Sequence, residues 1–312
     1  MDLDRSMVSV TVASSYLPEI TTAIRSLVQY PYGCIEQTIG STLPNALVLH
    51  LDTFGSIGID QDQARENVKH GLAKILRMQH YSGGWEYWEG DGDANIHITP
   101  YVLRSLIALR NLGETIPDTV IEKGTQYILT NLSTYQADPD NLAEVLWTLA
   151  LIGKKTEALS ALKDIDTSKL SRHGYLAYAY TAHLLDIYPQ TLTFTLDTVL
   201  FGSGTTNSET YWYWDTLADM GIYAQLLLDR DEEEKAFALI DRLVRGTDLS
   251  SSTLSTQAKI QIFRALLKQL QKTDTPLKNT FPIALRGDAL IADASLGPKK
   301  QFIQIDASRQ KF

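Results

Sequence analysis

Hydrophobic positions divide the chain into three stretches of different period. From Met7 to Ser14 it reads Met-Val-Ser-Val-Thr-Val-Ala-Ser, so Val8, Val10 and Val12 alternate with Ser9, Thr11 and Ala13. A period of two predicts a strand. From Tyr16 to about Gln271 apolar residues recur at spacings of three and four, which predicts helices. Pro and Gly fall between the helical runs, with Pro100 near a predicted helix start. After Thr273 the period of two returns. Phe281, Ile283 and Leu285 alternate, and Phe302, Ile303 and Ile305 do so less cleanly, between Pro276, Pro282, Gly287, Gly297 and Pro298.

Within the helical region a weak repeat recurs. Its copies begin at Tyr101, Ala143, Ala177, Ala218 and Ala258, each opening a run such as Ala-Glu-Val-Leu-Trp-Thr-Leu-Ala-Leu. They lie roughly 35 to 42 residues apart, enough for two helices and two loops. The repeated helices are apolar on most sides. The intervening ones, such as Asp62–Met78 and Glu232–Arg245, carry charge on one face. Buried helices alternating with amphipathic ones predict two concentric layers. The chain lacks a polar capping repeat, which favours a closed α/α toroid over an open solenoid. The fold class is therefore all-α, an α/α toroid with short β segments at both termini. The expected boundaries are a β segment at 1–15, the toroid at 16–272 and a returning β segment at 273–312. A β piece at each end predicts that the termini meet and that the toroid is inserted in a β domain.

Composition removes several function classes. Of 312 residues, 44% are hydrophobic and 21% charged, ordinary values for a globular chain. The formal net charge of −9 argues against a nucleic-acid partner. A single cysteine rules out an internal disulfide and a multi-cysteine zinc site. The histidines His50, His70, His80, His97, His173 and His183 form no His-x-x-x-His pair, so no metal is expected. No apolar run approaches the ~20 residues of a membrane span. The first ten residues lack a basic segment followed by an apolar one, so no signal peptide is expected in this chain.

Chemistry concentrates in Tyr30-Pro31-Tyr32-Gly33-Cys34-Ile35-Glu36-Gln37. The only cysteine stands three residues before a glutamine at a predicted helix start, where one turn brings the two side chains together. A thiol set against a carboxamide can expel ammonia and form an internal thioester. A helix N-terminus favours the thiolate, the nucleophilic form. Gly33 allows a tight turn that Pro31 helps to fix. A thioester is an activated acyl group awaiting a nucleophile. Taken alone, Cys-x-x-Gln is also compatible with a small buried hydrophobe.

The longer context resembles the thioester domain of the α-2-macroglobulin and complement family. Gly33, Cys34, Glu36 and Gln37 match its Gly-Cys-x-Glu-Gln signature. Pro31-Tyr32 before it, with Thr38 and Pro44 after it, resemble the bacterial branch. A second match is Gln79-His-Tyr-Ser-Gly-Gly-Trp-Glu-Tyr-Trp followed by Ile98-Thr-Pro-Tyr-Val-Leu, with Pro100 where the family has alanine. Tyr211-Trp212 and the run from Asp215 are similar to a third segment.

The resemblance implies a toroid inserted in a CUB-like β domain and flanked by macroglobulin domains. It implies a covalent trap rather than an enzyme: Cys34 and Gln37 form the bond, and attacking proteases are captured through their amines. Pro31, Tyr32, Gly33 and Glu36 support the turn, Glu36 by orienting it or bonding nearby backbone. Trp85, Tyr101, Tyr135 and Trp212 are offered as lining. Neither cofactor nor metal is implied, and the parent protein is expected in the periplasm or at the cell surface. In the hydroxyl-reactive complement relatives a histidine precedes the fourth repeat-like helix. The stretch Ser133–Leu142 has none, and none occurs between His97 and His173, so amines are the expected nucleophile.

Two other readings stay open. The Gln79…Gly-Gly-Trp segment also resembles the repeat of terpene cyclases and prenyltransferases, but no Asp-x-Asp-Asp motif accompanies it. A glycosidase needs two carboxylates across a cleft, which sequence leaves open. An inert helical scaffold with a buried Cys34 is the other. The loop Asp91–Asn95 reads as solvated and Asx-capped. The aromatic run Tyr211–Trp214 reads as packing, and the acidic run Asp229–Glu234 as a helix N-terminus.

Overall fold

Two kinds of helix alternate along the chain. The computed structural model describes residues 7–13, 27–50, 60–90, 92–188, 216–249, 251, 254–273, 281–286, 290–296 and 302–308. In chain order these contain β1 (Met7–Ala13), α1 (Ile35–His50), α2 (Gln61–Arg77), α3 (Ile98–Asn111), α4 (Asp118–Thr130) and the short α5 (Leu132–Tyr135). Next come α6 (Pro139–Leu151), α7 (Lys155–Leu162), α8 (Arg172–Leu184), α9 (Thr216–Asp229), α10 (Glu233–Gly246) and α11 (Thr256–Thr273). The strands β2 (Phe281–Arg286), β3 (Leu290–Leu296) and β4 (Phe302–Ser308) follow.

The five repeat copies all fall on inner helices. α6 buries residues on nearly every side, among them Leu142, Val145, Leu146 and Leu149. The outer α10 buries Ala236, Leu239, Ile240 and Leu243, a single stripe at spacings of three, four and seven. The outer α2 does the same with Ala64, Val68, Gly71 and Ile75, starting from an Asp60 N-cap whose carboxylate accepts from Gln63 N–H at 3.0 Å.

Inner helices pack in sequence: α1 on α3, α3 on α6, α6 on α8, α8 on α9 and α9 on α11. α11 then packs against α1 and closes the ring, with α2, α4, α7 and α10 outside. The fold is an α/α toroid. Close approach within the ring depends on small residues. A Cβ on Gly221 of α9 would sit 2.7 Å from the Gln261 backbone of α11. The neighbouring Gln225 exploits the closeness, donating to Gln261 Oε1 at 3.0 Å.

At the ends, β1 pairs antiparallel with β4, Val10 opposite Ile305, and β2 pairs antiparallel with β3. The sequence pattern flagged 281–285 and 302–305 but gave no sign of β3. Among the described residues no helix is long and apolar enough to cross a membrane. The aromatic run Tyr211–Trp214, with Trp212, lies outside the described residues. The acidic run divides: Asp229 ends α9, Asp231 takes a left-handed φ of 59°, and only Glu233 and Glu234 stand in the first turn of α10.

Candidate functional site

Gly33 and Cys34 immediately precede α1. Gly33 has φ of +88°, a conformation that side chains disfavour. The space a Cβ would occupy is taken: Gln37 Oε1 lies 1.9 Å from that position. The Gln37 side chain folds back across the turn, and its Oε1 accepts the Cys34 backbone N–H at 3.1 Å. The carboxamide carbonyl is thus held beside the cysteine, and a backbone donor already polarises it. Cys34 is 8% exposed, whereas Gln37 is on the surface. Thr38 fastens the first turn by donating its hydroxyl to Cys34 O at 2.8 Å.

Two distant segments hold this turn. Lys74 of α2 donates to the Gly33 carbonyl at 2.6 Å. The loop between α2 and α3 supplies the Tyr87 carbonyl, which accepts the Ile35 N–H at 2.8 Å. A helix's first N–H groups have no partner within the helix, so this carbonyl satisfies one of them. The Gly-Gly-Trp motif builds that loop. Gly83 takes φ of +98°, His80 N–H donates to Gly84 O at 2.9 Å, and Gln79 Nε2 donates to Gly83 O and Val120 O at 2.8 and 2.9 Å. The second sequence motif therefore serves the first, through Tyr87.

Glu36 points inward. Gln257 of α11 donates through Nε2 to Glu36 Oε1 and to the Tyr101 hydroxyl, both at 2.9 Å. Glu36 was expected to orient the turn or to bond nearby backbone; the partner the structure gives it is a side chain more than 200 residues later in the chain. Burial pushes the Glu36 carboxyl above its ordinary range, and the bond from Gln257 only partly offsets this. The Tyr87 phenol is pushed up to about 12, by burial first and then by the nearby Glu36 and Cys34 charges. Tyr101 is raised further for the same leading reason.

The other expected residues separate. Pro31 is buried and Tyr32 is 74% exposed, its ring against Tyr30, which in turn meets His70. Tyr101 reaches Glu36 through Gln257. Trp85 and Tyr135 are core residues rather than lining: Trp85 Nε1 donates to Ile75 O at 2.9 Å and the Tyr135 hydroxyl to Ile96 O at 2.8 Å. Of the loop read as Asx-capped, Asp91 lies outside the described residues; Asn95 Oδ1 accepts from His97 N–H at 2.8 Å and Ile98 N–H at 3.2 Å.

A family profile described as the A-macroglobulin TED domain matches residues 6–183. The chain belongs to this family. As a TED domain it is similar to the α-2-macroglobulins of Escherichia coli, 32% identical over 111 residues, and Thermotoga maritima, 29% over 121. These matches cover 35% and 39% of this chain but 7% of each relative, so the TED chain corresponds to a small part of their length. The cryo-EM structure of native E. coli α-2-macroglobulin has a TM-score of 0.71 at 20% identity, covering 97% of this chain and 19% of that one. The crystal structure of the same protein from domain MG7 to the C-terminus has a TM-score of 0.69 at 18% identity, covering 99% and 50%. A Salmonella α-2-macroglobulin reacted with methylamine gives 0.69 at 19%, covering 98% and 20%. In those proteins the fold is one part of a longer, multidomain chain.

Sequence reasoning missed one further feature of this TED domain, a chain of buried charges through four inner helices. Arg104 of α3 pairs with Glu144 Oε2 of α6 and donates to Glu144 O at 3.0 Å. Glu144 Oε1 takes His173 Nε2 of α8 at 2.8 Å. His173 Nδ1 meets Asp219 Oδ1 of α9 at 2.7 Å, and Arg172 closes on Asp219 Oδ2 at 2.7 Å. Burial alone would lower the His173 pKa, but Glu144 and Asp219 overcome it and raise it to about 9. Burial would raise that of Glu144, but Arg104 and His173 bring it down to about 2. His173 is thus a doubly donating imidazolium at neutral pH.

Proposed function

We propose that this chain is the thioester-bearing domain of an α-2-macroglobulin-like protease inhibitor, and that Cys34 and Gln37 close the internal thioester. The observation that carries the reading is the Gln37 carboxamide folded over Gly33, with its oxygen on the Cys34 N–H. Cys34 Sγ adds to Gln37 Cδ. The C–N bond breaks, ammonia leaves with the thiol's proton, and an S–C(=O) bond remains. The Cys34 N–H lies where negative charge develops on that oxygen, so it stabilises the tetrahedral species in forming and in opening the bond. A protease amine then attacks the same carbon. The C–S bond breaks, the departing Cys34 thiolate takes up the amine's proton, and a free thiol with an amide to the protease is the end state, with no turnover, cofactor or metal.

The rest of the reading follows the family. The terminal strands belong to a CUB-like domain divided by the toroid, giving segments 1–15, 16–272 and 273–312. Neighbouring macroglobulin domains cover the thioester until proteolysis, and the exposed Tyr32 and Trp88 beside the turn are suited to such a cover. The parent protein works in the periplasm or at the cell surface.

The test uses freshly prepared protein, intact mass and competing nucleophiles. The mass should be lower by one ammonia, Cys34 should resist thiol reagents, and methylamine should restore a free thiol. Methylamine should outcompete glycerol. The Ser133–Leu142 stretch has no histidine to relay the acyl group, and His173 has both ring nitrogens engaged by carboxylates. A full-mass protein with a freely alkylated Cys34 at every stage would overturn the reading.

A further inference from the structure

The six inner helices enclose a cavity of about 430 Å³. α1 contributes Leu43 and Leu47, from its second half, so the cavity is separate from the Cys34 turn that precedes the helix. Part of the wall is aromatic: Trp147 and Tyr180 stack at 4.7 Å with 18° between their planes. Among the described residues three cations, Arg104, Lys268 and Arg264, line it against one carboxylate, Asp229. Burial pushes His183, also in the wall, toward its neutral form, so it does not add a fourth.

Two of these cations have partners: Arg104 has Glu144, and Lys268 has Asp229. Arg264 differs. It is half-buried, and its guanidinium makes no hydrogen bond or ion pair with any of the described residues. Burial lowers its pKa; the nearby Tyr180, Tyr101 and Asp229 act against that, and the Arg104 charge adds to it, so Asp229, already paired with Lys268, is the one carboxylate that Arg264 senses among the described residues. A guanidinium offers five donors in a planar fork that matches a carboxylate, and leaving them unpaired away from bulk water is costly. Helix dipoles do not account for it. Their C-terminal effect is confined to the last turn, and Arg264 lies more than two turns before the end of α11.

We propose that the toroid cavity binds a small organic carboxylate, whose oxygens engage Arg264 while its apolar body packs on Trp147 and Tyr180. The volume is in the range of small-ligand sites, and an apolar wall with a few convergent polar groups is their usual composition. The carboxylate would touch neither Cys34 nor Gln37, although Tyr101, which also lines the cavity, meets the Gln257 that holds Glu36.

The test is a titration of the 312-residue chain with 3-phenylpropionate, followed by calorimetry and by tryptophan fluorescence. Saturable binding is expected, with the neutral 3-phenylpropanamide at least about tenfold weaker. Arg264→Gln should lose about tenfold and Arg264→Lys a smaller amount, since the charge remains but the planar fork is lost. Lys69→Gln, on the exposed face of α2, should bind as wild type. Absence of saturable binding, equal binding of acid and amide, or an unchanged Arg264→Gln would each overturn the proposal. The acid–amide comparison needs no variant, so a poorly folding substitution does not shelter it.

Discussion

The turn at the start of α1 and the charged chain across α3, α6, α8 and α9 place polar groups in opposite ways. At the turn, the pair proposed to react, Cys34 and Gln37, is three residues apart and one helical turn sets its geometry. In the chain, Arg104 and Asp219 lie on helices more than 100 residues apart and are linked through Glu144 and His173 only because successive inner helices pack side by side. At the turn Gly33 and Gln37 are exposed while Cys34, Ile35 and Glu36 are buried; the chain is buried and stitches four inner helices together. The proposed chemistry and the buried charges thus fall on different residues, so substitutions can separate them.

The largest separation should come from Cys34→Ala. Incorporation of labelled methylamine should fall to background, while helical circular dichroism and the melting temperature stay close to wild type. Equal incorporation in the variant would remove the thioester from this turn.

Glu144→Ala should do the reverse. It leaves Arg104 and His173 as buried charges with one partner fewer, and breaking such pairs costs about 3–5 kcal/mol. Denaturant unfolding should report the loss, while folded protein still incorporates amine. The pH dependence has a defined sign. The folded-state pKa of His173 is raised, so its contribution is complete below about 6.5 and fades as pH rises through about 9. The folded-state pKa of Glu144 is lowered, so its contribution is complete above 4.5 and fades as pH falls through about 2. Wild-type stability should decline on both sides of that window, and Glu144→Ala should flatten both limbs.

Gly33→Ala tests whether the turn is as local as it looks. A left-handed φ costs an alanine about 1–2 kcal/mol, and the new methyl would displace the Gln37 oxygen. The expected result is modest destabilisation together with a large drop in the fraction of protein lacking ammonia by mass. Full thioester formation in this variant would show that the folded-back carboxamide is not required.

Glu36→Gln should have the smallest effect. The Glu36 pKa is raised, so the acid form is favoured: any stabilisation is complete below about 4.5 and lost as pH rises through the folded-state value. At pH 7 the amide should therefore be at least as stable as wild type, with the difference vanishing as the pH falls below the ordinary carboxylate range. A large loss at pH 7 would mean that the Glu36 charge is needed at the turn.

Much of this was legible in the sequence, for reasons particular to each element. The repeats starting at Tyr101, Ala143, Ala177, Ala218 and Ala258 show apolar residues on most sides because inner helices are covered on most sides. Asp62–Met78 and Glu232–Arg245 show stripes because one face meets water. Cys34 and Gln37 could be paired because their spacing is one turn. Trp85 and Tyr135 were misplaced because an aromatic in a site motif reads the same whether it lines a cavity or fills the core. Only the chain's path shows that their polar atoms are satisfied by Ile75 and Ile96. β3, Leu-Ile-Ala-Asp-Ala-Ser-Leu, was missed because small residues blur its alternation.

The sequence by itself determined the period of each segment, hence the two layers of helices, and the local turn that sets Cys34 against Gln37. These depend on backbone geometry over a few residues. Only the tertiary structure decided who surrounds that turn. Gln257 on Glu36, Lys74 on the Gly33 carbonyl and the Tyr87 carbonyl on Ile35 all arrive from other elements, as does the run Arg104–Glu144–His173–Asp219–Arg172. Each of those residue types is common on any helix, and none bears a mark of its partner. A hydrogen bond or ion pair is specified by position in space, and the positions exist only after the helices have packed on one another, for Gln257 and Glu36 only once α11 has met α1 and closed the ring.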